Sequence, residues 1–196
     1  MAILTPNEKK LILILFKDIS HYFNSNSISK IIGISRAGAM KIFKRLLKEN
    51  LVYSQKIGKS IIYKLNLNED YVKKLIAFLL AEEASNYIRW KEEFKDLFNG
   101  ERAVVLFGSI IKNYDAARDI DLMIILKKGE EGEVNKILKQ REIILPKKLH
   151  SIKLTPNEFS NEIKRKNKSI IDLVKNSVIL YGQDKYVEII KNVTNI

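Results

Sequence analysis

The stretch VVLFGSIIKNYDAARDIDLMIIL, Val104 to Leu126, holds the residues on which the reading of this chain turns. Ala103 to Phe107 is a short, wholly apolar run of the kind expected in a central strand. Gly108-Ser109 follows directly, and after nine intervening residues Asp119-Ile120-Asp121 opens a second apolar run, Leu122 to Leu126. On a strand, residues 119 and 121 point to the same face. Two carboxylates therefore stand side by side at the start of one strand, near the end of a neighbouring one.

Adjacent carboxylates repel unless a cation holds them, and Mg²⁺ takes oxygen ligands, often one or two carboxylates together with substrate phosphates. A glycine after a strand lets the chain turn sharply and brings backbone N–H groups close to a phosphate. Ser109 adds a hydroxyl donor, and a helix starting there adds the favourable end of a dipole. Phosphate cradle and metal ligands together are the equipment for attack on the α-phosphate of a nucleoside triphosphate. Lys112 and Arg118 lie in the intervening loop and either neutralise phosphate or are simply solvated.

Val104 to Leu126 is similar to the minimal nucleotidyltransferases of the DNA polymerase β superfamily. Their hallmark is Gly-Ser, a loop of about this length, then Asp-x-Asp with an apolar strand behind it. The resemblance implies that Gly108 and Ser109 hold the triphosphate, and Lys112, by its place in the loop, is the further nucleotide-binding candidate. It also implies that Asp119 and Asp121 are the catalytic, metal-binding carboxylates, with Mg²⁺ or Mn²⁺ as cofactor and an NTP, ATP first, as substrate. It runs from Glu101 to the end. Glu130 to Ile143 reads as an amphipathic helix and Lys148 to Leu154 as a third strand. Thr155-Pro156-Asn157-Glu158 opens another helix, and Val178 to Gly182 resembles the family's closing segment before a short terminal helix.

One departure stands out. Active members usually place a third carboxylate on the later strand, yet Lys147 to Leu154 contains no Asp or Glu. Glu142 and Glu158 flank that stretch but fall on helices in this reading. Catalysis is then slow, uses His150 as a substitute, or is absent. His150 is most simply read as a half-exposed strand residue, and His21 receives no role.

Upstream, Asn68 caps a helix starting near Glu69. Tyr71, Leu75, Phe78, Leu79, Ile88, Phe94 and Leu97 carry its apolar signal to about Phe98, with one bend or break near Ser85-Asn86. Tyr87 and Trp90 are read as core.

The first third is basic. Residues 1–68 hold 12 Lys and Arg against three acids (Glu8, Asp18 and Glu49), a surplus of nine in a chain of net charge +12. Thr5-Pro6-Asn7-Glu8 is a capping box with proline at the first helical position. The helix it opens is expected to end near Phe23, with a polar break at Asn24 to Asn26. A short second helix covers Ile28 to Ile32, and Gly33 ends it. A third, capped by Ser35, runs to about Asn50. Ala39, Phe43, Leu46 and Leu47 are expected inside it, and Arg36, Lys41, Lys44, Arg45 and Lys48 mainly outside. Leu51 to Ile57 and Ser60 to Leu65 form a hairpin around Gly58-Lys59, with Val52, Ile61 and Ile62 buried.

Ser27 to Leu65 resembles the winged-helix domains of prokaryotic transcriptional regulators. That resemblance implies Arg36, Lys41 and Lys44 in the major groove of DNA and Lys56 and Lys59 on phosphates. A winged helix used only for protein contacts is the alternative, against which the basic face argues.

The fold class is therefore expected to be α+β. Residues 1–67 form a winged helix-turn-helix domain, 68–99 a connecting helix, and 100–196 a small mixed-sheet nucleotidyltransferase domain. The chain has 196 residues and no cysteine, which excludes disulfide scaffolds, thiol nucleophiles and iron–sulfur clusters. A soluble, cytoplasmic protein without membrane contact is expected. The expected activity is transfer of a nucleotidyl group, AMP first, to a hydroxyl acceptor. Expected partners are DNA, a nucleoside triphosphate and a second copy of the chain; the resemblance to minimal nucleotidyltransferases further implies a small helical partner protein, with this chain as the antitoxin of a toxin–antitoxin pair. The alternative is a DNA-binding regulator with a degenerate, nucleotide-sensing or partner-docking transferase fold.

Overall fold

Thr5 starts the first helix, α1 (Pro6–Lys17), through a reciprocal cap. Its hydroxyl accepts from the Glu8 backbone N–H at 3.3 Å, and the Glu8 carboxylate accepts from the Thr5 backbone N–H at 2.7 Å. The structure, a computed structural model, describes residues 3–194. It is mixed α+β and divides into two compact units, Met1–Ile76 and Ala77–Ile196.

In the first unit α1 ends at Lys17, six residues before the Phe23 expected from periodicity. Asp18 Oδ1 draws in the Ser20 hydroxyl at 2.9 Å and His21 Nδ1 at 2.8 Å, and Phe23 is used elsewhere: its carbonyl accepts from the Tyr63 N–H at 2.9 Å. The polar Asn24 is a helix cap, its Oδ1 accepting from the N–H groups of Asn26 and Ser27. The second helix, α2 (Ser25–Ile32), therefore begins three residues earlier than expected. Gly33 closes it at φ +77°. Ser35 caps α3 (Arg36–Lys48), its hydroxyl accepting from the Gly38 N–H at 3.0 Å.

Strands β1 (Val52–Ile57) and β2 (Ser60–Leu65) pair antiparallel from Val52↔Leu65 to Ile57↔Ser60. Gly58 sits at φ +57°, as a two-residue hairpin turn with glycine first requires. Leu11, Ile12, Phe16, Ile28, Ala39, Phe43 and Leu46 form the centre of this unit, and Phe43 stacks on Tyr63 with ring centroids 3.8 Å apart.

Two side chains expected inside are outside: Leu47 is 37% and Ile61 54% exposed. Successive strand residues face opposite ways, and of Ile61 and Ile62 only Ile62 lies on the covered face of this two-stranded hairpin. Arg45 is also misplaced by the sequence reading, since it turns back to the buried Glu8 carboxylate at 2.9 Å.

Helix α4 (Asp70–Ala84) contains the division between the units. A 3-10 turn over Ser85–Tyr87 breaks it where the sequence places the bend, and α5 (Ile88–Glu93) follows. Trp90, Phe94 and Leu97 are buried, whereas Tyr71, Phe78 and Ile88 are exposed, so the expected broad apolar face is not all covered.

The second unit is built on one sheet of four strands: β3 (Ala103–Phe107), β4 (Asp119–Ile125), β5 (Lys148–Leu154) and β6 (Val178–Tyr181), in the order β5-β4-β3-β6. β3 runs antiparallel to β4 and β6, and β5 runs parallel to β4. Helix α6 (Glu131–Ile144) makes the crossover that the parallel pair needs. Helices α7 (Pro156–Lys164), α8 (Lys168–Lys175) and α9 (Gln183–Thr194) complete the unit. Val104, Leu106, Ile120, Leu122 and Ile124 share a core with Trp90, Phe94, Leu97, Val134 and Leu138. The alternate residues Val105, Met123 and Ile125 are buried on the other face, the one to which Asp119 and Asp121 belong by strand parity.

Candidate active site and DNA interface

β3 ends at Phe107, which pairs with Asp121. The next residue, Gly108, has φ +83° and ψ −162°, a region essentially restricted to glycine. A side chain there would overlap the Asp121 carboxylate, whose Cγ lies 3.1 Å from where a Cβ would stand. The missing side chain thus lets the backbone run directly against an acidic group. Ser109 is exposed beside it.

Ser109–Ile111 forms a single 3-10 turn, not the helix expected. So short a turn aligns too few peptide units to carry the dipole assigned to it. Its buried Ile110 anchors the turn, and the N–H groups of Lys112 and Asn113 fold back onto the Ser109 carbonyl at 3.0 and 3.1 Å.

The loop to β4 is held from several sides. Asn113 Oδ1 accepts from the N–H groups of Asp115 and Ala116. Lys147 Nζ donates to the Ala117 carbonyl at 2.5 Å, and Tyr114 has the Arg89 guanidinium 4.2 Å from its ring centre and the Lys147 ammonium 4.8 Å from it. Lys112 and Arg118 project from this fixed loop as exposed cations.

Asp119 and Asp121 are both partly buried. Parallel pairing with β5 sets Lys148 opposite Asp119 and His150 opposite Asp121. His150 Nδ1 lies 3.6 Å from Asp121 Oδ1 and 4.0 Å from Asp119 Oδ2. Partial burial pushes the Asp121 carboxyl above its ordinary range, and the Asp119 charge pushes the same way, while His150 pulls it down. A partly buried carboxylate whose charged form is disfavoured is one that a cation would relieve.

Among the described residues, no three His, Asp or Glu side chains already stand at metal-holding positions. Two carboxylates nevertheless fit a dication that takes its other ligands from water and phosphate. Those two would be Asp119 and Asp121. The flanking acids are placed as the sequence suggests: Glu142 is on α6, and Glu158 is committed to the cap of α7, accepting from the Thr155 N–H at 2.8 Å.

His150 is therefore both an exposed strand residue and a neighbour of both carboxylates. The sequence contained one signal for this, the alternation that sets residues 148 and 150 on one face of a strand. The register that brings that face to Asp119 and Asp121 is a tertiary fact.

In the first unit, Arg36, Lys41 and Lys44 are exposed on α3, with Lys48 on the same side, and Lys56 and Lys59 are exposed on the hairpin. Lys41, Lys44 and Lys48 follow helical spacing and form one stripe. Ala37 and Gly38, at the start of α3, leave room there for close approach to another surface.

No protein-family model matches the chain, and no curated protein matches it. It is similar to solved structures of ZitR from Lactococcus lactis. A cysteine-to-serine variant in complex with DNA is 21% identical with a TM-score of 0.36, covering 48% of this chain and 64% of that one. The wild type in complex with DNA is 20% identical with a TM-score of 0.35, covering 48% and 65%. A double variant is 15% identical with a TM-score of 0.37, covering 71% and 73%. The chain thus spans just under two thirds of the length of the DNA-bound forms. TM-scores this low leave fold and function to be argued from this chain's own residues. Among the described residues, no helix is long and apolar enough to cross a membrane.

Proposed function

We propose that the chain is a DNA-binding protein whose second unit binds a metal–nucleoside triphosphate and transfers its nucleotidyl group to a hydroxyl. The observation that carries the second half is the convergence of a glycine-only backbone turn with Asp121 on the adjacent strand, Asp119 being on the same face. In this reading Gly108 lets the chain approach the triphosphate, the Ser109 hydroxyl donates to a phosphate oxygen, and Lys112 offsets its charge. Asp119 and Asp121 hold the dication, Mg²⁺ or Mn²⁺, which when bound neutralises phosphate charge at the reacting centre. The acceptor hydroxyl oxygen forms a bond to the α-phosphorus and gives up its proton to solvent, the bond from the α-phosphorus to the bridging oxygen breaks, and pyrophosphate leaves. ATP is the first substrate to test. The acceptor is a protein side chain, a small molecule or an RNA end, and a small helical partner in a toxin–antitoxin pair fits the first of these.

The first unit supports a winged-helix reading: three helices and a hairpin, with Arg36, Lys41 and Lys44 for the groove and Lys56 and Lys59 for phosphates. A dimer reading paired half-sites accords with that mode of binding.

A second reading is a DNA-binding regulator whose second unit senses a nucleotide or docks a partner without chemistry. Its support is His150, which stands in β5 where a third acid would complete the set. Incubation with α-labelled ATP and Mg²⁺ or Mn²⁺ separates the two. Label transferred by the native chain and abolished in Asp119→Ala and Asp121→Ala supports the transferase. Triphosphate bound but never transferred, across protein, nucleotide and RNA acceptors, supports the regulator.

A further inference from the structure

We infer that His150 makes the Asp119–Asp121 site selective for a first-row transition-metal dication over Mg²⁺, by adding an imidazole nitrogen to the two carboxylates. This rests on the metal site proposed above. The three side chains lie on one face of two hydrogen-bonded strands, with His150 Nδ1 3.6 Å from one carboxylate and 4.0 Å from the other. Donors around a single six-coordinate ion stand about 3 Å apart, for metal–ligand lengths near 2.1 Å. His150 Nδ1 is thus within roughly 1 Å of that spacing from each carboxylate, a distance that rotation about its side-chain bonds covers. Its side chain is 49% exposed, so that rotation meets little packing.

Two effects decide the selectivity. The protein contributes two negative charges and a neutral nitrogen, which weakens its hold on Mg²⁺, a hard ion that prefers oxygen. The nitrogen donor favours ions later in the first transition row. The chain's other histidine, His21, is tied to Asp18 in the first unit.

The test uses the full chain, with ions as the only probes. Mn²⁺ is bound and examined by pulsed electron paramagnetic resonance for coupling to a directly coordinated ¹⁴N nucleus. Co²⁺ and Mg²⁺ affinities are measured by calorimetry on the native chain, His150→Ala and His150→Asp. The expected result is nitrogen coupling in the native chain that disappears in both His150 variants. A Co²⁺-over-Mg²⁺ preference that falls on the order of tenfold in His150→Asp is also expected. Absence of nitrogen coupling, or an unchanged preference in His150→Asp, overturns the inference. Asp119→Asn and Asp121→Asn serve as the separate control. Undiminished ion binding in those two would remove the proposed metal site itself, whatever His150 does.

Discussion

At the residue scale, Gly108 does two jobs at one atom. Its backbone occupies a region of φ and ψ that other residues enter only at a cost, and its missing Cβ is the space the Asp121 carboxylate fills. Gly108→Ala must therefore strain the backbone and displace the acid together. The expected loss is about 1–3 kcal/mol of stability, read as a lowered Tm or denaturant midpoint. Triphosphate binding should fall with it. Ser109→Ala, at an exposed position, should leave stability within about 0.5 kcal/mol while weakening triphosphate binding. Equal effects of the two substitutions on stability would argue that the turn is not held by the contact with Asp121. The Gly-Ser turn and the Asp pair could be read directly from sequence, because a break after an apolar run and a two-residue spacing are local properties. The sequence names His150 only as one option in place of the missing acid and could not place it. Its approach to the same carboxylates depends on β5 lying parallel to β4 in one register.

At the scale of elements, both hairpin strands, placed by the Gly58-Lys59 turn, and β5, placed by its alternation, lie within a residue of where the sequence puts them. The departures share a cause: a tertiary partner overrides a local pattern. α1 stops at Lys17 because Phe23 is taken by Tyr63 of β2, though apolar spacing would carry a helix further. Arg45 leaves the basic face of α3 because the Glu8 carboxylate, buried at the start of α1, draws its guanidinium in. Glu8 therefore serves as both the closing acid of the α1 cap and the anchor of α3. Glu8→Ala should remove both, and the expected destabilisation is about 2–3 kcal/mol, below the range for fully buried pairs because Arg45 is about one-third exposed. Glu8→Gln retains a side chain able to accept from the Thr5 N–H and should lose less. Urea denaturation checks the order. A Glu8→Ala variant as stable as its parent would show that the pair does not tie these helices together.

At the scale of the whole molecule, charge is the property that differs most along the chain. Nine of the twelve net positive charges fall within residues 1–68. A general preference for basic surface would spread them through both units, whereas a DNA contact concentrates them. Five exposed cations, Arg36, Lys41, Lys44, Lys56 and Lys59, are proposed for that contact. If all five met phosphates, the logarithm of the duplex affinity would fall with the logarithm of salt at a slope of about −4 to −5. Groove contacts and phosphate contacts then separate. Lys56→Ala and Lys59→Ala should each flatten the slope by about 1 and weaken all sequences alike. Arg36→Ala should cost about 1–3 kcal/mol on the preferred sequence and reduce discrimination between sequences, with less change in slope. Lys41→Ala should weaken binding as well. Titration of the full chain with labelled duplex at several salt concentrations measures both quantities. No binding at low salt, or Arg36→Ala and Lys41→Ala variants that bind like the parent, would leave the basic first unit without the partner proposed for it. The second unit would be tested separately, because its site residues are not among the five.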